Sequence, residues 1–246
     1  NDNLDMIITA SNEGLVELEK NYKAAVINPQ AIHIEVVEST RGFLAEHTQV
    51  ITPNSVLNEG YRWALIGANR FYVDTPGLGQ SLVAGYSTTS SGWDGNHQIN
   101  GRPGYAWYFG RDAQWSAFAL LNYGDFEKVK SVLTIFQDYQ DINGKIFHEL
   151  STSGVVHYDA ADATPLYIVL AGRYLKHSGD IKFIRESWPH IKKAVDFCFS
   201  TDTNNDHLIE NTNVGHGWVE GGGLFGSRST LYLSSSWAEA LKEVAF

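Results

Sequence analysis

The stretch GYAWYFGRDAQW, residues 104–115, sets Trp107, Tyr108 and Phe109 just ahead of the adjacent pair Arg111 and Asp112. Aromatic rings offer flat apolar faces. A guanidinium supplies fixed donors and a carboxylate supplies acceptors, so the pair can grip neighbouring hydroxyl groups, which both donate and accept. These residue types in this order describe a site that stacks one face of a ligand and holds its polar edge. The competing description is a surface ion pair at the start of a helix, with aromatic packing behind it. For Tyr108 and Phe109 taken singly, core packing is the stronger reading.

Other chemistries lack the residues they need. His148-Glu149-Leu150 begins like a zinc-protease motif, but Thr152 stands where the second His belongs, and the nine histidines are scattered. Asp202, Asn204 and Asp206 have the spacing of a calcium loop. His207 and Asn213 replace its Gly and its final Glu, so a tight polar turn is expected. GLGQSL, from Gly77, lacks the spacing and the Lys of a phosphate-binding loop. A net charge of −10 without a Lys/Arg run argues against nucleic acid or an anionic membrane as partner. No stretch approaches the roughly 20 apolar residues of a membrane span. Cys198 is the single cysteine, which excludes an intrachain disulfide and a cysteine-rich metal site.

The elements around the motif read as helices. NLDMIITASNEGLVELEKNYKAAV is helical, with Pro29 at or beyond its end. AIHIEVVES alternates enough for a short strand, with a helix as the alternative. SVLNEGYRWALIGANRFYV repeats Leu57, Tyr61, Ala64, Leu65, Ala68 and Tyr72 at helical spacing. Residues 74–104 show no period and read as a functional loop leading into the aromatic motif. A helix follows over 111–123. Asp125 caps the next, whose stripe is Phe126, Val129, Leu133 and Phe136. Another covers DATPLYIVLAGRYLKHSGD. Asp180 opens one with Ile184, Trp188, Ile191 and Val195 as its buried line. A Gly-rich stretch, NVGHGWVEGGGLFGSRS, precedes the last helix, which reaches Phe246 without a stop signal, as though the chain were cut. Mid-length helices with alternating short links and long loops describe an all-α fold of helical hairpins, as in a toroid.

GYAWYFGRDAQW, YGDFEKVKSVL, GKIFHELSTSG, YDAADATPLYIVLAGRYLKHSGD and GHGWVEGG occur in that order. Together they resemble the amylo-α-1,6-glucosidase (glycogen debranching enzyme) family of glycoside hydrolases, related in fold to glucoamylases. The resemblance covers about residues 50–246 and leaves 1–49 as a mostly helical extension. It implies an (α/α)6 barrel. Helices starting near 55, 111, 125, 159, 180 and 230 make half of such a ring, so residues 50–246 are expected to be its first half. The missing C-terminal half, or a partner chain, would then cover the apolar face. The implied activity is cleavage of α-glucosidic bonds in an α-glucan or oligosaccharide, with inversion and without a cofactor. A phosphorylase or epimerase on the same barrel, or a non-catalytic carbohydrate-binding protein, are the alternatives.

Glycoside hydrolysis usually takes two carboxyl groups, one protonating the leaving oxygen and one activating water. The resemblance makes Glu220 the acid: it stands two residues after Trp218, where the family has Trp-x-Asp, and the change to Glu adds one methylene. Against this stands a solvated loop carboxylate. Asp162 is implied as a contact at the cleavage point or as the acid itself, with helix capping as the equal alternative. Asp159 reads as a turn residue. Arg111 and Asp112 would hold the hydroxyls of the terminal glucose, Trp107 and Tyr108 would face its C–H side, and Trp218 would be a platform. The general base would be a Glu of the missing half.

Overall fold

The computed structural model describes residues 6–11, 13–86, 92–94, 97–99, 105–211, 215, 217–218 and 227–245. Two compact units, Asn1–Arg62 and Trp63–Phe246, divide the chain within a helix. The all-α expectation holds: eight helices carry the described chain, joined by short antiparallel strand pairs.

The first unit contains α1 (Leu15–Ile27), α2 (Pro29–Glu46) and the start of α3 (Ser55–Arg70). Two expectations are corrected here. The first helix begins at Leu15, after Gly14 at φ 98°, and leaves residues 6–11 outside it. AIHIEVVES is helical, because Asn28 accepts from the Ala31 amide and Pro29 sits at the first helical turn. The Pro therefore opens a helix as well as following one. Ile32, Ile34 and Val36 are exposed and nothing in α2 is buried, so local capping, not burial, decides the conformation.

In the second unit, β1 (Tyr72–Thr75) and β2 (Gly79–Leu82) form a hairpin with Tyr72 opposite Leu82. This corrects the structureless reading of residues 74–104; Gly77 at φ 81° makes the turn. β3 (Gly92–Asp94) pairs with β4 (His97–Ile99). β5 (Tyr108–Phe109), β6 (Glu149–Leu150) and β7 (Val156–His157) make a small antiparallel sheet.

The helices that follow are α4 (Gly110–Tyr123), α5 (Phe126–Asp138), α6 (Ala163–Ser178), α7 (Ile181–Ser200) and α8 (Leu231–Val244). α6 is central: it packs against each of the other four. Every residue from Ala163 to Ala171 is accordingly buried. α5 buries Val129, Leu133 and Phe136 as its period implies, with Val132 and Ile135 widening the stripe. Asp125 occupies the position before it but makes no cap; its carboxylate takes Lys128 instead. Asp180 does cap α7, accepting from the Phe183 amide at 3.0 Å. The buried line of α7 keeps Ile191 but otherwise runs through Phe183, Ser187 and Ala194, each one position before the expected Ile184, Trp188 and Val195, and Trp188 is exposed. The face is chosen by its neighbours: Phe183 packs edge-on to Tyr174 of α6, 5.5 Å between centroids, and Gln137 of α5 donates to Ser187.

α8 reaches α6 at Gly172, where an added Cβ would lie 2.6 Å from the Glu243 Cβ. Gly172→Ala is expected to lower unfolding stability by about 1–3 kcal/mol through overpacking, despite the better helix propensity of Ala, as measured by urea denaturation.

Candidate active site

α4 starts where it does because Gly110 lets it. The Gly110 amide donates to the His148 carbonyl at 2.7 Å. A Cβ there would meet the Phe147 carbonyl oxygen at 2.2 Å and the Ala163 Cβ at 2.9 Å. The absence of a side chain thus brings the first turn of α4 against both β6 and the start of α6. Arg111, the next residue, faces Asp162.

Asp162 is 0% exposed. Its Oδ2 accepts from Arg111 Nε at 2.5 Å and from the Tyr232 hydroxyl at 3.0 Å, and its Oδ1 accepts from Arg111 Nη2 at 3.2 Å. Capping is not its role: it has helical dihedrals and its side chain bonds none of the following amides. The partner of Arg111 is therefore this aspartate, 51 residues on, and not the adjacent Asp112. Asp112 is exposed in the first turn of α4, where a negative charge suits the helix dipole.

Arg111 Nη2 also donates to the Gly217 carbonyl at 2.8 Å, across 106 residues of chain. The aromatic Arg-Asp motif and the Gly-rich loop thus meet at one guanidinium. Trp218 follows, 60% exposed, its ring edge-on to Tyr232 at 6.5 Å. Trp115 Nε1 donates to the Tyr232 hydroxyl at 3.4 Å, and the Trp115 ring is 51% exposed. A groove of about 270 Å³ opens beside them, lined by Trp115, Phe118, Leu166, Arg173, Tyr232 and Glu239. Glu220 lies outside the described residues.

Trp107 and Tyr108 face inward, 6% and 3% exposed. The Tyr108 hydroxyl is held by Thr75 Oγ1 at 2.7 Å and donates to the Val73 and Gly79 carbonyls, which ties β5 to the hairpin. The structure therefore brings Arg111, Asp162 and Trp218 together and buries Trp107 and Tyr108, the latter against the hairpin.

The Gly-rich loop is fastened at its base. The Asn211 amide donates to the Arg228 carbonyl at 2.7 Å, and Asn211 Nδ2 donates to the Ser227 carbonyl at 2.9 Å. Buried Glu210 accepts from Arg228 at 2.7 Å, and that bond holds its carboxyl below the usual range. Further along, Gly215 sits at φ 111° with its Cα against the Asp159 carbonyl, where a Cβ would fall 1.9 Å from the oxygen. In the segment before this loop, Asp202 accepts from the amides of Asp206 and His207, and Asp206 from that of Leu208, so these carboxylates serve the turn.

Tyr232 and Trp115 take part without having stood out in the sequence, and His148, which did, serves a different purpose. Tyr232 joins Asp162 only through a contact between residues 70 apart, which no local pattern carries. Burial, then the Asp162 charge, pushes its phenol well up, so the hydroxyl stays a donor. His148 is buried beneath Phe109 and bonds Asp159 Oδ1 through Nδ1 at 2.6 Å. Its motif, FHEL, pointed to metal chemistry that the spacing refused.

Helical hairpins that gather an arginine, a buried acid and open aromatic faces at their loop end are the architecture of an all-α glycoside hydrolase family. Residues 71–218 match the amylo-alpha-1,6-glucosidase family, and the chain belongs to it. A 112-residue alignment, 43% of this chain, is 29% identical to the trehalase of Oryctolagus cuniculus. It spans 19% of that enzyme, so the chain covers about a fifth of the curated relative it matches.

Burial pulls the His148 imidazolium down, but the hydrogen bond and charge of Asp159 outweigh it and leave the group above its ordinary value. A raised folded-state pKa stabilises the fold below the unfolded value, about 6.5, and that contribution is lost as pH rises through the raised one. Urea midpoints against pH should show this falling limb. In Asp159→Asn the limb should shrink, and His148 should titrate lower than in the wild type by NMR, because the bond and charge of Asp159 that raise it are gone.

Proposed function

We propose that this chain forms part of a glycosidase that cleaves α-glucosidic bonds of a glucan or oligosaccharide with inversion. The observation that carries the reading is the bond from Arg111 to the Gly217 carbonyl. It joins the two family elements that a sugar-cleaving site needs in one place: the Arg-Asp pair and the loop that continues through Trp218 to Glu220. Glu220 acts as the general acid, protonating the leaving glycosidic oxygen. A water on the opposite face of the sugar attacks, activated by a general base that we assign to a further segment of the enzyme. The two carboxyls of such a pair stand about 6.5–9.5 Å apart to admit that water.

Asp162 has no open surface and three donors on its oxygens, so we assign it to holding Arg111. Asp112, exposed beside Arg111, accepts from the hydroxyls of the terminal glucose, and Arg111 donates at the edge of the same subsite. Trp218 supplies the apolar platform. Trp107 and Tyr108 act from behind by fixing β5 and, through it, the start of α4. α4, α6 and α8 stand side by side, and α5 and α7 pack against members of that row. Such layering suits part of an (α/α)6 ring, completed by further helices of the enzyme or by a partner chain.

In the whole enzyme, Glu220→Gln is expected to cut kcat on an α-glucoside by about 10²–10⁴-fold with the fold intact. Proton NMR of the wild-type reaction should show the β-anomer first. Near-native turnover by the variant, or net retention by the wild type, would overturn the assignment.

A further inference from the structure

We infer that Tyr232 is a positioning residue: its hydroxyl orients the Asp162–Arg111 pair so that the guanidinium holds the Gly217–Trp218 segment in place. The inference rests on the glycosidase reading for its consequence, but its geometry stands without it. Tyr232 lies in the first turn of α8, which Thr230 caps by accepting from the Leu233 amide at 3.1 Å. The cap fixes the helix start, and with it the direction in which the phenol leaves the backbone.

Asp162 Oδ2 is shared by Arg111 Nε and the Tyr232 hydroxyl. With one donor removed, the carboxylate is free to turn about its Cβ–Cγ bond, and the Arg fork must follow it to keep two bonds. That rotation moves Nη2, which is the group on the Gly217 carbonyl. The Tyr232 ring adds a direct contact, edge-on to Trp218. On its other side the hydroxyl accepts from Trp115 Nε1. One phenol therefore connects the exposed indoles of α4 and of the loop to a fully buried carboxylate.

A ring that only fills space would be replaced by Phe without loss. A positioning hydroxyl would not. The consequence for the proposed reaction falls on orientation: Trp218 stands two residues ahead of Glu220 in sequence, so a shift at Gly217 is passed along the chain toward the acid.

The test is hydrogen exchange by mass spectrometry on Tyr232→Phe in the full chain. Peptides covering Gly217 and Trp218 should exchange at least about tenfold faster than in the wild type, the scale of losing a hydrogen bond to a charged group. Peptides from α5 and α7 should be unchanged. Trp115→Phe, which leaves the Tyr232–Asp162 bond in place, should not accelerate the loop. Unchanged exchange at 217–218 in Tyr232→Phe, or acceleration shared equally by α5 and α7, would overturn the inference. In the whole enzyme the same variant should lose kcat more than it raises KM, and a purely structural role would not give that split. Faster loop exchange with no glycosidase activity in the wild type would sink the reaction and leave the positioning role standing.

Discussion

A carboxylate with no exposed surface must be paired or it costs the fold several kcal/mol. Asp162 is that carboxylate, and the arrangement of the site follows from satisfying it. Arg111 provides two donors from α4 and Tyr232 a third from α8. Two separate helices therefore have to converge on the N-terminus of α6 for the charge to be tolerated. A pair of apolar side chains of the same volume would often be as stable. The ionic version adds direction: a planar fork bound on one side to the carboxylate has its remaining donors fixed in orientation, and one is spent on the Gly217 carbonyl.

Convergence at this density needs backbones to come closer than side chains allow. Gly110 brings α4 onto β6 and α6, Gly215 brings the loop onto the Asp159 carbonyl, and Gly172 brings α8 onto α6. Gly110 and Gly215 do this beside Asp162 and Asp159, and Gly172 does it further along the contact between α6 and α8, opposite Glu243. Only Gly215 among them is at positive φ, so at the other two the requirement is space. Function and packing are thus joined: the residues that let the helices close are also those that deliver Arg111, Tyr232 and Trp218 to one place.

Much of the helical scaffold was legible in the sequence because it rests on local signals. Asp180 caps α7 as its position implied, and the stripe of α5 follows its apolar period. Errors came where a local signal competed with another. The alternating Ile and Val of α2 resemble a strand, but the Asn28–Pro29 start selects a helix. The hairpin over 72–82 is too short for a period to show, although Thr75-Pro76-Gly77 is a turn signal between two runs that can pair. In the site, the motif around Arg111 was recognisable, and its partner was not. Adjacency suggested Asp112 as the ion-pair partner, whereas the part-buried Arg111 guanidinium takes the carboxylate that the tertiary fold desolvates beside it.

The aromatic residues divide in a way that composition could not show. Trp107 and Tyr108 are buried, and Trp115 and Trp218 stand open on either side of Tyr232. Sequence order put the first pair nearest to Arg111 and made them the natural stacking surface. Both are buried instead, and the Tyr108 hydroxyl is turned to the hairpin, where Thr75, Val73 and Gly79 hold it. Open faces are then left to residues on α4 and on the loop, which are separated in sequence and joined through Tyr232. A ligand gripped at these faces would press on indoles whose spacing is set from below by a buried acid. Rigidity of that kind lowers the cost of ordering side chains on binding, so it favours a ligand that itself has one stiff apolar face.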